Sequence, residues 1–486
     1  MLLAIAAVIL TLPHPIALDD ALRHSVMGMQ MREAGLRQDW SVFLTGGTLA
    51  RLQTDPWFLA DALYIPLSMF PAGMATKVFA LLSLSALTAT FLFVLHRWRT
   101  PAMLQLCLVA LLLAGSTSFL FRSLMGRPFP LLTALTILTL HAVLERRALL
   151  LAVSLTISVL LTQLFVFPLL IVLTGALWLR SLPDPHWKRL LGSTAAGLAV
   201  GFLLHPSPLA YATYLLTVFP SIPFLWSAGL GSEMQSAFLV SDVIPPFLLT
   251  AGVALLAAFA RTPGGLNTEG MRRGGVLFLL ILCGALFLAY LLWSRSIDLL
   301  WPFLLLTIAR MEQARPGLID STARFFLRGL SICRTATFSM IGICLLQSAI
   351  FLATLRLTNH RQSVLAFAPL RSLPPGSRIL NVDWDLFAPL LATNPRLRFA
   401  TGIDASFTYL EDPDAWQALR TLNTKEATTE QIDTAFDRLL ERYRPDYVVM
   451  ERRWNEGAIP SISKRKDMQV LGASSRIVVA KVERRK

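Results

Sequence analysis

Charge is scarce in this sequence. Asp, Glu, Lys and Arg make up 15% of its 486 residues, against about 25% in soluble domains. Hydrophobic residues make up 55%, and the mean hydropathy is +0.59. This balance excludes an ordinary soluble domain and points to a polytopic membrane protein. Cysteine is scarce too. Cys107, Cys283, Cys333 and Cys344 all fall in or beside apolar runs, which excludes a disulfide framework and a CxxC metal site. The 7 histidines never pair at metal-ligand spacing. Low-complexity tracts and internal repeats are absent as well. The missing repeat argues against a transporter built from inverted halves.

What is present is a series of apolar runs: 79–95, 103–120, 129–144, 190–204, 243–260, 274–293 and 336–355. Each is long enough to cross a bilayer when short or tilted, since a spanning helix needs roughly 20 residues. The block 148–179, broken by Gln163 and Pro168, reads as a tight two-helix hairpin. With residues 2–18 and 299–309 added, the expectation is about 11 transmembrane helices. The first run, "LLAIAAVILTLPHPIAL", lacks a basic start and an A-x-A cleavage site, so it reads as a retained helix. Its abrupt beginning suggests a true start upstream of Met1.

Lys and Arg set the orientation. Loops 96–100, 145–147, 180–189, 261–273 and 310–334 hold 15 basic residues, and the short loops opposite hold 3. The N-terminus is therefore expected in the cytoplasm, with residues 19–77 and the tail outside. The net charge of +14 needs no nucleic acid. Fifteen basic residues set topology, and the tail from Arg356 holds 21 more beside 16 acids. That tail is either simply solvated or rests on anionic headgroups.

The expected layout is a membrane domain over 1–355, containing the external loop 19–77, and an extracytoplasmic α/β domain over 356–486. After "SLPPGSR" (372–378) come the strand-like runs "RILNVDW", "RFATGI", "DYVVME" and "RIVVAKV". They interleave with the helical pattern "TEQIDTAFDRLLERY" (429–443), as in a small α/β fold. The segment 205–242 is rich in Pro and aromatics and has no Lys or Arg, as expected of helices lying in the membrane interface.

The chemistry-bearing residues begin with "LDDALRHS". Asp19 and Asp20 follow the first helix. One suits the N-cap of a helix starting near Ala21. Adjacent helical residues diverge by about 100°, so the other faces elsewhere. Arg23 and His24 fall on the face of Asp20, placing acid, base and imidazole together at the bilayer surface. Plain capping and surface pairing is the alternative.

Arg295 is the only basic residue of the short external loop 293–298, and its fork suits a phosphate. A snorkelling arginine is the alternative. Arg127, in "RSLMGRPF", suits the same phosphate or a helix-end anchor. Glu233 is the sole acid of the stretch "GLGSEMQSAF" in its apolar external segment and suits a sugar contact or a solvated loop. Asp383 and Asp385 form a D-x-D read as structural.

"LDDALRHSVMGMQMREAG" and "TDPWFLADALYIPLSMFPAG" together resemble the first external loop of the GT-C glycosyltransferases. The likeness rests on an acidic couplet after the first helix, then an amphipathic helix, a D-P element (Asp55–Pro56) and "YIPL" (64–67). "WSRSIDLLWPF" (293–303) resembles the family's late S-R motif, without its aromatic-acidic details. "RILNVDWDLFAPLL" and "RFATGIDASFTYLEDPDAW" resemble the outer domain of a bacterial branch.

The resemblance implies an integral-membrane hexosyltransferase of the bacterial cytoplasmic (inner) membrane. It would move a sugar from a polyprenyl-phosphate donor to an extracytoplasmic glycan, lipid or protein acceptor, with inversion. Asp20, then Asp19, would be the base. Arg295, His24, Arg127 and Glu233 would hold donor phosphate or substrate. No cofactor or metal is expected, although a divalent ion at Asp19 and Asp20 stays open. So does a flippase of lipid-linked glycans or an inactive scaffold.

Overall fold

The computed structural model describes residues 1–483 apart from 38, 183, 219–243, 261–274, 320–331 and 403–404. The chain is mostly helical and divides into two compact units. One comprises Met1–Thr11, Ala80–Leu203 and Gly231–Thr358; the other comprises Leu12–Phe79, Leu204–Leu230 and Asn359–Lys486.

The first unit is a helical bundle with an apolar interior. Helix α1 (Leu2–Thr11) belongs to it. In one of its long helices, Ile297–Ala314, 13 of 18 residues are buried. A helix hydrophobic on every side belongs in the middle of a bundle. Trp301 packs so closely on Gly115 that a Cβ there would fall 2.5 Å from the indole. The indole Nε1 donates to the Leu111 carbonyl at 3.0 Å, which satisfies its one donor in an apolar setting.

Two of the expected spans are broken. The run 103–120 bends by 72° between Ala102–Ala114 and Thr117–Leu124. Ser116 restarts the helix by accepting from the Phe119 N–H at 3.2 Å, a polar cap inside an apolar run. The block 148–179 does divide at Thr162, which caps the turn Gln163–Phe165. Helix Val166–Ser181 packs through Gly175 against Val143 of an earlier helix, Phe129–Leu144. Among the described residues, two helices, Ala72–Arg97 and Gln163–Ser181, are long and apolar enough to cross a membrane alone. Bent pairs, including His186–Leu204 with Pro208–Val218 at 114°, raise that to four.

The second unit contains the acidic segment and the tail. Helix α2 (Asp20–Ala34) is followed by α3 (Thr48–Leu52) and α4 (Phe58–Leu63). The tail carries a five-stranded sheet in the order β2-β1-β3-β5-β4. Its strands are β1 (Arg378–Asn381), β2 (Arg398–Phe399), β3 (Tyr447–Glu451), β4 (Met468–Ala473) and β5 (Ile477–Val482). β1 pairs in parallel with β2 and β3, whereas β5 pairs antiparallel with β3 and β4. The helix Thr429–Tyr443 covers the sheet with Ile432, Ala435, Phe436 and Leu439. Its start is fixed by a capping box between Thr428 and Gln431, the arrangement that satisfies two orphan N–H groups at once.

The D-x-D does not lie on a strand. β1 ends at Asn381, and Asp383 caps the turn Trp384–Leu386 by accepting from the Asp385 N–H at 3.0 Å.

Candidate active site

α2 starts where the acid couplet can cap it. Asp19 takes an extended backbone and accepts from the Ala21 N–H at 3.2 Å. Asp20 is the first helical residue, and its side chain is 31% exposed. Its carboxylate lies 3.6 Å from Arg23 Nε, three residues on. The two acids thus divide their work: Asp19 closes the helix end and Asp20 keeps an accessible face.

Arg23 and His24 point inward rather than to a bilayer surface. Arg23 is fully buried, stacked 4.2 Å from the centroid of Trp57 and 5.8 Å from that of Trp40. Such cation–π contacts offset part of the cost of burying a guanidinium. Its Nη2 donates to His24 Nε2 at 3.1 Å. His24 Nδ1 bonds Asp61 Oδ1. Both ring nitrogens are engaged and the ring is 1% exposed. As placed, this imidazole does not reach a substrate.

Asp61 comes from α4 and Asp55 from the turn before it. The Asp55 carboxylate accepts from the Trp57 N–H at 3.0 Å, a local bond that shapes the Asp-Pro turn. Asp55 and Asp61 lie within side-chain hydrogen-bonding reach of each other. Burial raises both acids above the usual carboxylate range. For Asp61 the neighbouring Asp55 charge adds to the effect and lifts it well above. Like charges in a dry site cannot both ionise cheaply.

His205 closes the cluster. Its Nδ1 accepts from the Ser207 N–H at 3.1 Å, so Nε2–H donates to the Asp55 carbonyl at 3.0 Å. Tyr211 stacks on it at 4.4 Å.

Gly28 lets this cluster form. A Cβ at that position would fall 2.5 Å from Tyr64 Cβ and 2.8 Å from its carbonyl carbon. Only glycine allows α2 to lie so close to the chain after α4.

The bundle unit holds a second polar centre. Arg122, Arg127 and Arg295 surround the Phe129 ring, with guanidinium carbons 5.8, 6.0 and 4.7 Å from its centroid. Asp298 grips Arg122 through two bonds of 2.9 and 2.8 Å, a bidentate pair that uses both carboxylate oxygens. Arg127 and Arg295 are thereby brought to one aromatic face while the adjacent acid serves Arg122. Glu233 lies outside the described residues.

The inward ring of Asp55, Asp61, Tyr64 and His205 is not among the sequence candidates. The signal for it is faint: an acid inside the apolar stretch "WFLADALYIPL". Among the described residues no three His, Cys, Asp or Glu side chains converge as a metal site.

No family model matches the sequence, and no curated protein matches it. Solved structures do match in fold. One is ArnT from Cupriavidus metallidurans bound to undecaprenyl phosphate, with a TM-score of 0.58 and 16% identity over 99% of this chain and 97% of that one. The arabinofuranosyltransferase AftD from Mycobacteria aligns with a TM-score of 0.51 and 15% identity, over 100% of this chain and 40% of that one. The Archaeoglobus fulgidus oligosaccharyltransferase aligns with a TM-score of 0.52 and 12% identity, over 100% of this chain and 74% of that one. All three are GT-C superfamily glycosyltransferases, and this chain shares their fold.

Proposed function

We propose that the protein is a membrane glycosyltransferase that takes a sugar from a polyprenyl-phosphate donor and passes it to a hydroxyl acceptor outside the cytoplasm. The observation that carries this reading is the full-length fold match to a structure holding undecaprenyl phosphate. The arginine pair at Phe129 supports it from this chain's own side chains.

Asp20 is the base. As the bond from C1 to the phosphate oxygen breaks, the sugar becomes oxocarbenium-like. The acceptor oxygen forms the new bond to C1, and its proton passes to the Asp20 carboxylate. The electron pair leaves with polyprenyl phosphate. Arg295 and Arg127 hold that phosphate and stabilise its growing charge. A single displacement inverts C1. Asp19 serves by fixing the start of α2.

His24, one of the sequence candidates for a phosphate ligand, is replaced in that role by the two arginines because its ring is buried. The expected setting is a bacterial inner membrane with the acid segment and tail outside.

Binding tests this reading. With the chain in nanodiscs, polyprenyl phosphate should bind to the parent, and Arg295→Ala with Arg127→Ala should weaken binding by tenfold or more, about 1.4 kcal/mol. Unchanged affinity in the double variant would remove the arginines from the donor site.

A further inference from the structure

Two carboxyl oxygens of the acid cluster behind Asp20 find no donor, and the bonds around them show where protons sit. Arginine only donates. His24 Nε2, 3.1 Å from Arg23 Nη2, therefore presents its lone pair. The imidazole is neutral, and its proton is on Nδ1, where it is donated to Asp61 Oδ1. That leaves Asp61 Oδ2 and Asp55 Oδ2, both buried and both without a conventional donor. The two carboxyls are in reach of each other. One proton between them satisfies both orphaned oxygens and removes one of two buried like charges.

We infer that Asp61 and His24 are positioning residues for Asp20: a proton shared by the Asp55 and Asp61 carboxyls locks His24 as its Nδ1–H tautomer, which holds Arg23, which turns its Nε edge to the Asp20 carboxylate. The inference rests on the proposed role of Asp20 as base. It assigns to the buried side of α2 the task of aiming that carboxylate.

Among the described residues, the charged and titratable groups at the cluster are Asp19, Asp20, Arg23 and His24 at the start of α2 and Asp55, Asp61 and Tyr64 after it, while Arg32 and Glu33 are exposed at the far end of α2. His205 and Tyr211 complete them. The helix Phe387–Thr393, which also packs on α2, brings no titratable side chain. Burial raises both acids, and the neighbouring Asp55 charge raises Asp61 further, so the pair keeps its proton above the pH at which a solvated carboxyl ionises. The relay therefore holds while the pair keeps its proton and comes apart as pH rises through the raised Asp61 value.

Asparagine is a mimic of an un-ionised Asp61: its oxygen accepts from His24 and its NH2 donates to Asp55. In a transfer assay on a panel of polyprenyl-phosphate hexoses and pentoses, Asp61→Asn should keep activity within about tenfold of the parent and lose the decline that the parent shows as rising pH removes the shared proton. Asp61→Leu should fall at least about a hundredfold. An Asp61→Asn variant as impaired as Asp61→Leu would overturn the relay.

A second measurement needs no substrate. Nitrogen-15 NMR of histidine-labelled full-length chain in nanodiscs, with His24 assigned by its loss in His24→Gln, should show the Nδ1–H tautomer near pH 7. An Nε2–H tautomer or an imidazolium there overturns the relay whether or not transfer occurs. A parent chain that transfers from no donor counts against the function alone.

Discussion

Asp383 and Glu451 in the tail form the same kind of pair as Asp55 and Asp61 after the first helix. Each pair is two carboxyls within hydrogen-bonding reach, buried, with an arginine nearby. The arginines differ. Arg476 binds Glu451 directly at 2.8 Å and is 30% exposed. Arg23 is fully buried and reaches its pair only through His24.

In the tail the remaining bonds go to backbone: Asp383 caps the turn after β1, and the Glu451 N–H donates to Asn455. That pair holds strand ends in place. In the acid segment the hydrogen bonds run outward as far as Arg23, whose Nε lies 3.6 Å from the partly exposed Asp20 carboxylate. Burial raises Asp383 as it raises Asp55 and Asp61, but the acid segment sets its pair behind a partly exposed carboxylate, Asp20.

The sharpest way to break this contrast is Asp20→Asn. Removing a general base costs about 10²- to 10⁴-fold in rate. Transfer should fall by that much while thermal unfolding of the chain is unchanged. A variant that unfolds early would make Asp20 a structural residue like Asp383.

Gly28→Ala comes next. Its methyl meets Tyr64 backbone and Cβ, neither of which can swing aside, so overpacking should cost about 1–3 kcal/mol. Hydrogen exchange should rise in α2 and α4 and stay unchanged in β1 and β3. Equal effects in both would mean that the two regions share one fate.

Asp383→Asn sharpens the comparison from the other side. Burial raises Asp383 to about 6, so its contribution to folding is fully present below the unfolded value near 3.8 and is lost as pH climbs to about 6. Asparagine keeps the cap and removes that loss. Above about pH 7 the variant should be more stable by about 1–2 kcal/mol, with no gain near pH 4 and no change in transfer. The opposite sign would make the tail pair an ionised clasp.

The smallest effect belongs to Thr428→Ala, which opens the capping box of Thr429–Tyr443. It should cost about 1 kcal/mol in thermal unfolding; no change would show that tertiary packing alone holds that helix.

The tail is legible in its local pattern. Runs rich in β-branched and aromatic residues between turns locate β1, β2, β3 and β5, and the spacing of Thr428 and Gln431 agrees with the start of the helix Thr429–Tyr443. β4 escapes because its exposed residues and a bulge between Val470 and Gly472 blur the period.

The couplet Asp19–Asp20 is readable for the same local reason, since capping and i,i+3 pairing are set by near neighbours. The ring behind it is not. His24 meets Asp61 across 37 residues and Asp55 meets His205 across 150, and no period links such pairs. Hydropathy locates the apolar runs but not the 72° bend at Ser116, because a single hydroxyl barely alters the average that the run presents.

The most direct test of the account is the release of polyprenyl phosphate by purified chain in nanodiscs supplied with polyprenyl-phosphate sugars and candidate acceptors. The account predicts acceptor-dependent release by the parent and none above background in Asp20→Asn. Release at the parent rate from Asp20→Asn, or no release from the parent with any donor, would contradict it.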